Sequence, residues 1–379
     1  MQKTYLYAPG PTPVPSEALL EMARPIIHHR EAEFKPVFES CRRDLQYLFQ
    51  TSRDVVTLAA SGTGAMEASV TNFLKRGDKA LFVNGGKFGE RWGKILKAYG
   101  CEPVEVAVEW GQAVDPAAVA AALDADPAIR AVYVQASETS TAVMHPVKAL
   151  AAVTGRRPGV ILAVDGITGV GVFDLPMDAW GIDILLTGSQ KALMLPPGLA
   201  FVAWSEKAEE FLKTAGLPRF YFDLKAERKK QLENQTAWTP AVSLVVGLRE
   251  VLAQIRAETL EGVFARTARL AEATRKAVAA LGLELYAPAS PSDACTAVKM
   301  PAGVDGQALK KALRSRFGVI VAGGQDQAKG KIIRIAHLGH ADTFDVVTAI
   351  AAVEMALAGL GHPVTLGAGV AAALKVLNG

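Results

Sequence analysis

A chain of 379 residues that is half hydrophobic, 21% charged and only +3 in net charge is globular, with length for one large and one small domain. Acids and bases are interleaved, with no basic stripe threaded by aromatics, so nucleic acid is not expected as a partner. The three cysteines, Cys41, Cys101 and Cys295, lie far apart with no metal-ligand spacing, no apolar run reaches membrane-spanning length, and Met1–Tyr7 lacks a signal peptide's apolar core. A cytoplasmic protein with reduced thiols, no metal and no membrane contact is expected.

Ala8–Pro15 carries four prolines, which fix φ and remove donors, so it reads as an extended arm, with Ser16 as the N-cap of a first helix. A second helix is predicted over 31–49. Between them, His28, His29 and Arg30 read as a surface cluster. From Asp54 the chain alternates. Strands are predicted at 55–59, 80–83, 104–106, 131–134, 160–164, 182–186 and 199–203, and helices at 64–74, 88–99, 116–123 and 146–154. That rhythm predicts an α/β fold, a mostly parallel, doubly wound sheet covered on both faces. Beyond residue 240 come helices over 240–256 and 258–281, then strands 294–300, 319–321 and 332–336 among helices 305–317, 342–358 and 364–377. This tail reads as a smaller α+β unit packed with the arm. The expected division is 1–16 (arm), 17–256 (large domain) and 257–379 (small domain).

Open parallel sheets bind ligands beyond the carboxyl ends of their strands, so the residues there are the candidates. Ser61-Gly62-Thr63-Gly64 opens a helix with small residues and free amides, which suits a phosphate. It lacks the third glycine of a dinucleotide turn and the lysine of a P-loop. Phe88 stands at a strand-to-helix corner where it can stack on a planar ring. Ser137–Ala142 is a hydroxyl-rich loop, either ligand-binding or self-satisfied. Asp165 ends a wholly apolar strand and needs a cationic or hydrogen-bonded partner, which a protonated pyridine nitrogen supplies. Lys191, in Gly188-Ser189-Gln190-Lys191-Ala192, follows another buried strand. Desolvation there lowers its pKa and makes its amine a nucleophile. Phosphate cup, ring stack, pyridine partner and amine at successive strand ends are together what a pyridoxal 5′-phosphate (PLP) site requires.

These stretches, with Pro9-Gly10-Pro11-Thr12, Phe88-Gly89-Glu90-Arg91, Val164-Asp165-Gly166, Pro196-Pro197-Gly198 and Arg334-Ile335, resemble the class V aminotransferases, fold-type-I PLP enzymes, and within them the alanine–glyoxylate and serine–pyruvate group. The resemblance covers nearly the whole chain. It implies that Lys191 carries the cofactor and moves the substrate proton, that Asp165 holds the pyridine nitrogen, and that Phe88 stacks on the ring. It further implies that Ser61, Gly62, Thr63 and Gln190 surround the phosphate, that Ser140 contacts the ring hydroxyl side, and that Arg334 binds the substrate α-carboxylate. Gln235 and Thr236, with Thr239 as a fallback register, are implied to reach the phosphate of a partner subunit in a homodimer. The small-molecule substrates implied are an amino acid such as alanine or serine and a 2-oxo acid. Aspartate as donor, a lyase or desulfurase using Cys295, and a nicotinamide dehydrogenase are the alternatives. Gln190, where desulfurases usually carry histidine, weighs against the second. His337 and the His28–His29 pair are candidates for the site entrance.

Overall fold

The computed structural model describes residues 3–379; Met1 and Gln2, the start of the expected arm, lie outside the described residues. Seven strands form the central sheet in the order 55–58, 200–204, 184–188, 161–165, 129–135, 79–84 and 102–107. Ala200–Trp204 runs antiparallel to both neighbours, while the pairs from 184–188 to 102–107 are parallel. The expected mostly parallel sheet is therefore present.

Its strands bury both faces, and the side-chain period of two divides the core into two layers. On one face Leu81, Val132, Val134, Leu162, Val164 and Leu185 pack with Phe38, Leu45, Leu248 and Leu252 of helices Phe34–Phe49 and Val242–Glu258. On the other, Phe82, Tyr133, Ile161, Ala163 and Leu186 pack with Met66 of helix Gly62–Thr71 and with Trp92 and Leu96 of helix Lys87–Ala98. The structure adds helices over Glu206–Thr214 and Leu224–Gln231, which the alternation of strands and helices does not announce. Ser205 and Asp223 cap them through their side chains, a local signal that the sequence does carry. Ser16, by contrast, is the first helical residue and Pro15 the N-cap.

A separate apolar core gathers Leu270, Val278, Leu309, Leu313, Ile333, Ile350, Val353 and Leu377, with Tyr7 from the arm. Cys295–Lys299, Ile332–Ala336 and Ala322–Gly323 make its three-stranded antiparallel sheet. The arm joins this smaller C-terminal domain as a strand, Tyr5–Leu6 pairing in parallel with Val319–Ile320, and Ala336 N donates to Tyr7 O at 2.9 Å. From there it runs over the carboxyl ends of the large sheet.

Candidate active site

The strand ends converge on a cleft lined by Ser61, Gly62, Thr63, Phe88, Asp165, Gln190 and Lys191, together with Arg91, Ser137, Thr139, Ile167 and Thr168.

Lys191 is presented to the cleft by a closed loop. Ser189 N donates to Leu199 O at 2.9 Å, Ser189 Oγ to Pro196 O at 2.7 Å, and Leu195 N to Ser189 O at 3.0 Å, so the chain after the strand turns back on itself. The arm fixes the lysine from the other side. Thr12 Oγ1 donates to Lys191 O at 2.9 Å and Thr12 N to Gln190 O at 3.2 Å, while Lys191 Nζ donates to Pro9 O at 2.6 Å. Glycine is required at position 10 by a φ of +137°, and a Cβ there would also stand 2.0 Å from Nζ and displace the amine. Burial pulls the Lys191 amine down to about 8, opposed by Cys295 and Asp165.

The shift has a kinetic consequence. At pH 7 a lysine of pKa 10.5 is neutral in about 0.03% of molecules, and one at about 8 in about 10%. The rate at which apoprotein captures PLP through this amine is therefore expected to climb between pH 6 and 8 and then level off, as followed by stopped-flow absorbance. A profile still climbing towards pH 10 would mean an unshifted lysine. The same amine also bears on stability. With the folded pKa below the unfolded one, its penalty on the folded state is complete below about pH 8 and fades as pH rises towards 10.5.

Asp165 ends the Ile161–Asp165 strand and is 5% exposed. Ile167 N donates to Oδ1 at 2.8 Å; among the described residues the other oxygen receives nothing. Burial lifts the carboxyl to about 7, and neighbouring Glu138 adds to the rise. A carboxylate so placed gains from an arriving cation. Gln190 Oε1 is likewise buried without a partner among the described residues. A free carboxylate oxygen and an amine of lowered pKa in one cleft fit PLP, with Asp165 suited to its ring nitrogen and Lys191 to its aldehyde carbon.

Phe88 is held by a residue that the sequence pattern does not single out. The fully buried carboxylate of Glu138 accepts from Phe88 N at 3.1 Å, Gly89 N at 2.9 Å, Ser140 N at 3.1 Å and Ser140 Oγ at 2.6 Å. Phe88 and Gly89 lie in the first turn of their helix, where amides have no helical acceptor, so Glu138 anchors the turn that carries the ring. A lone acid in a hydroxyl-rich loop after a buried strand is the signal that points to it. Of the residues in this loop expected near the ring, Ser140 has its hydroxyl fully buried against Glu138, while Thr139 lines the cleft. The rest of the loop largely satisfies itself, as Thr139 Oγ1 with Thr168 Oγ1 and Ser137 Oγ with Ser292 Oγ, both at 2.7 Å.

Arg334 lies on the middle strand of the small sheet and is 6% exposed. Its guanidinium donates to Gly323 O twice, at 3.1 and 2.8 Å, and to Thr139 O at 2.7 Å. Among the described residues no carboxylate pairs with it, a demanding state for a buried cation and a receptive one for an anion. Cys295 is buried on the adjacent strand, its thiol pushed up to about 11 by burial.

Gln235 and Thr236 stand outside this cleft, bonded to Arg30, and Thr239 lines a separate pocket with Tyr221 and Trp238. The His28 and His29 rings lie 4.8 Å apart, tilted by 35°. His337 does not line the entrance: it is fully buried, bonded to Thr296 Oγ1 at 2.8 Å, and burial pushes its pKa down to about 3.

The family model "Aminotransferase class-V" matches residues 4–347. A protein called soluble hydrogenase, small subunit, from Synechococcus is 44% identical over 99% of both chains. The L-aspartate–glyoxylate aminotransferase of Paracoccus denitrificans is 37% identical over 97% of this chain and 94% of its own. The serine–glyoxylate aminotransferase of Methylorubrum extorquens is 37% identical over 99% of this chain and 96% of its own. The crystal structure of pyridoxamine–pyruvate aminotransferase from Mesorhizobium loti superposes with a TM-score of 0.95 at 30% identity, covering 100% of this chain and 98% of the other.

Proposed function

The chain belongs to the class V aminotransferases, PLP-dependent enzymes, and from that premise we propose that it moves an amino group from a small amino acid, alanine or serine, to glyoxylate or pyruvate by a ping-pong mechanism. The observation that carries this reading is the buried Arg334, which no carboxylate pairs with among the described residues and whose charge helps to lower the pKa of the Lys191 amine. Bound PLP supplies an electron-withdrawing ring that labilises the substrate Cα–H bond. Lys191 would hold the cofactor and, as a free amine, would take and return the substrate Cα proton. Asp165 would keep the ring nitrogen protonated, Phe88 would orient the ring, and Ser61, Gly62, Thr63 and Gln190 would receive the phosphate. Arg334 takes the donor's α-carboxylate in a fork and aligns Cα with Lys191.

Two relatives named for glyoxylate support that acceptor, one of them also named for serine. A desulfurase would need a mobile thiol, and Cys295 is immobilised in a buried strand. We further propose a homodimer in which Gln235 and Thr236 reach the partner's phosphate cup; their place outside their own cleft and the exposed Phe220 and Tyr221 nearby support it. We also propose the division at 16/17 and 256/257, in line with a second apolar core in the C-terminal part, although Leu260 and Val263 pack in the larger core, and a cytoplasmic site, in line with three unpaired cysteines. No helix of the described residues is long and apolar enough to cross a membrane.

The donor is tested by single half-reactions, following the loss of the near-visible cofactor band with alanine, serine and aspartate in turn. Alanine or serine is expected to convert the band at least about tenfold more efficiently than aspartate, as about 1.4 kcal/mol of discrimination requires. Conversion by aspartate alone would overturn the small-donor assignment.

A further inference from the structure

We propose that Arg91 is the cationic component of the cofactor's phosphate site; this rests on the PLP reading of the cleft. The cup at Ser61–Thr63 offers first-turn amides, and the Ser61 side chain caps none of them. These are neutral donors, and a phosphate of nearly two negative charges in a half-buried cleft calls for a positive charge as well. Among the described residues only two cations line the cleft, Lys191 and Arg91. Lys191 is turned towards Pro9 by the arm. Arg91 is therefore the cation left for the cup.

Its geometry fits that role. Phe88 and Arg91 are three residues apart on one helix face, so ring and guanidinium come from the same surface. The guanidinium carbon lies 4.9 Å from the Phe88 ring centroid, and Nη1 donates to Thr63 Oγ1 at 3.0 Å, which ties the group to the cup itself. Among the described residues no acid pairs with it. One donor is engaged, leaving others for phosphate oxygens. Arg334 does not line the cleft and is bonded instead to Gly323 and Thr139, so the two arginines are held by different segments. The arrangement assigns one cation to the cofactor's phosphate and one to the substrate's carboxylate.

The test compares PLP with pyridoxal, which has the ring and aldehyde without the phosphate. Holoenzymes of the wild type, Arg91→Ala and Arg91→Gln are dialysed free of cofactor, reloaded with either compound, and titrated by near-visible absorbance. Both variants are expected to bind PLP about 10- to 100-fold more weakly while pyridoxal affinity changes less than about twofold. Glutamine keeps part of the stem without the charge, so it carries the test if the alanine variant fails to fold. Unchanged PLP affinity would overturn the proposal. So would equal weakening of both compounds, which would make Arg91 a support for the Phe88 wall, or a defect confined to the aspartate half-reaction, which would make it a binder of a distal carboxylate. Failure of the wild type to load PLP would instead defeat the cofactor reading.

Discussion

Lys191→Ala is expected to reduce transamination by about 10⁴-fold, the upper range for a positioned proton-transfer group, and to abolish the near-visible band of the PLP-loaded protein. Among the described residues no neighbour replaces it. The other cation lining the cleft is Arg91, a guanidinium bonded to Thr63. The buried Cys295 thiol is pushed up to about 11 and held on a strand. The variant should still fold, because the loop is closed by bonds of Ser189 and Thr12 to backbone, and the buried amine itself disfavours the folded state below about pH 8. Thermal unfolding of the apoprotein at pH 7 is therefore expected at the same or a higher temperature. Activity within about tenfold of wild type, or a retained band, would remove Lys191 from its role.

Arg334→Ala is expected to lower kcat/KM by about 10²–10³-fold for every α-amino acid donor, the loss of a desolvated bidentate ion pair, while the band remains. Its removal also leaves Gly323 O and Thr139 O without the donors they now have, a stability loss of about 1–3 kcal/mol. The two effects separate by measurement. A structural defect lowers the unfolding temperature alike for all ligands, whereas loss of carboxylate capture raises the donor concentration needed for half-conversion of the band. Arg334→Lys keeps the charge without the fork and should recover only part of the affinity. Unchanged half-reaction kinetics in a folded Arg334→Ala protein would refute the assignment.

Much of the site can be read from the order of the amino acids alone. Asp165 and Lys191 stand out because each follows a run so apolar that it can only be a buried strand, and a charged group ending such a run needs a chemical reason. Phe88, Gln190 and the Ser61–Thr63 cup are legible for a related reason, as small, polar or aromatic residues at the ends of buried strands. Arg334 is conspicuous as a cation inside Ile332–Ala336. Ser140 is not legible in the same way. It shares a hydroxyl-rich loop with Thr139, and successive residues of an irregular loop have no period that says which faces the ligand. His337 is core and not an entrance residue, because its imidazole turns inward to Thr296, a partner 41 positions away that no local pattern announces.

The local pattern of this sequence, apolar runs of strand length separated by glycine, proline and helix-capping residues, determined the alternating elements, the mostly parallel sheet and the order in which chemically useful residues arrive at its carboxyl edge. Those are properties of near neighbours, set by period and backbone preference. Only the tertiary structure decided what meets what. It put Pro9 against the amine of Lys191, 182 positions away, tied Arg91 to Thr63, and set the Glu138 carboxylate beneath Phe88. Such contacts depend on side-chain direction and on packing between distant segments, for which a one-dimensional pattern carries no period.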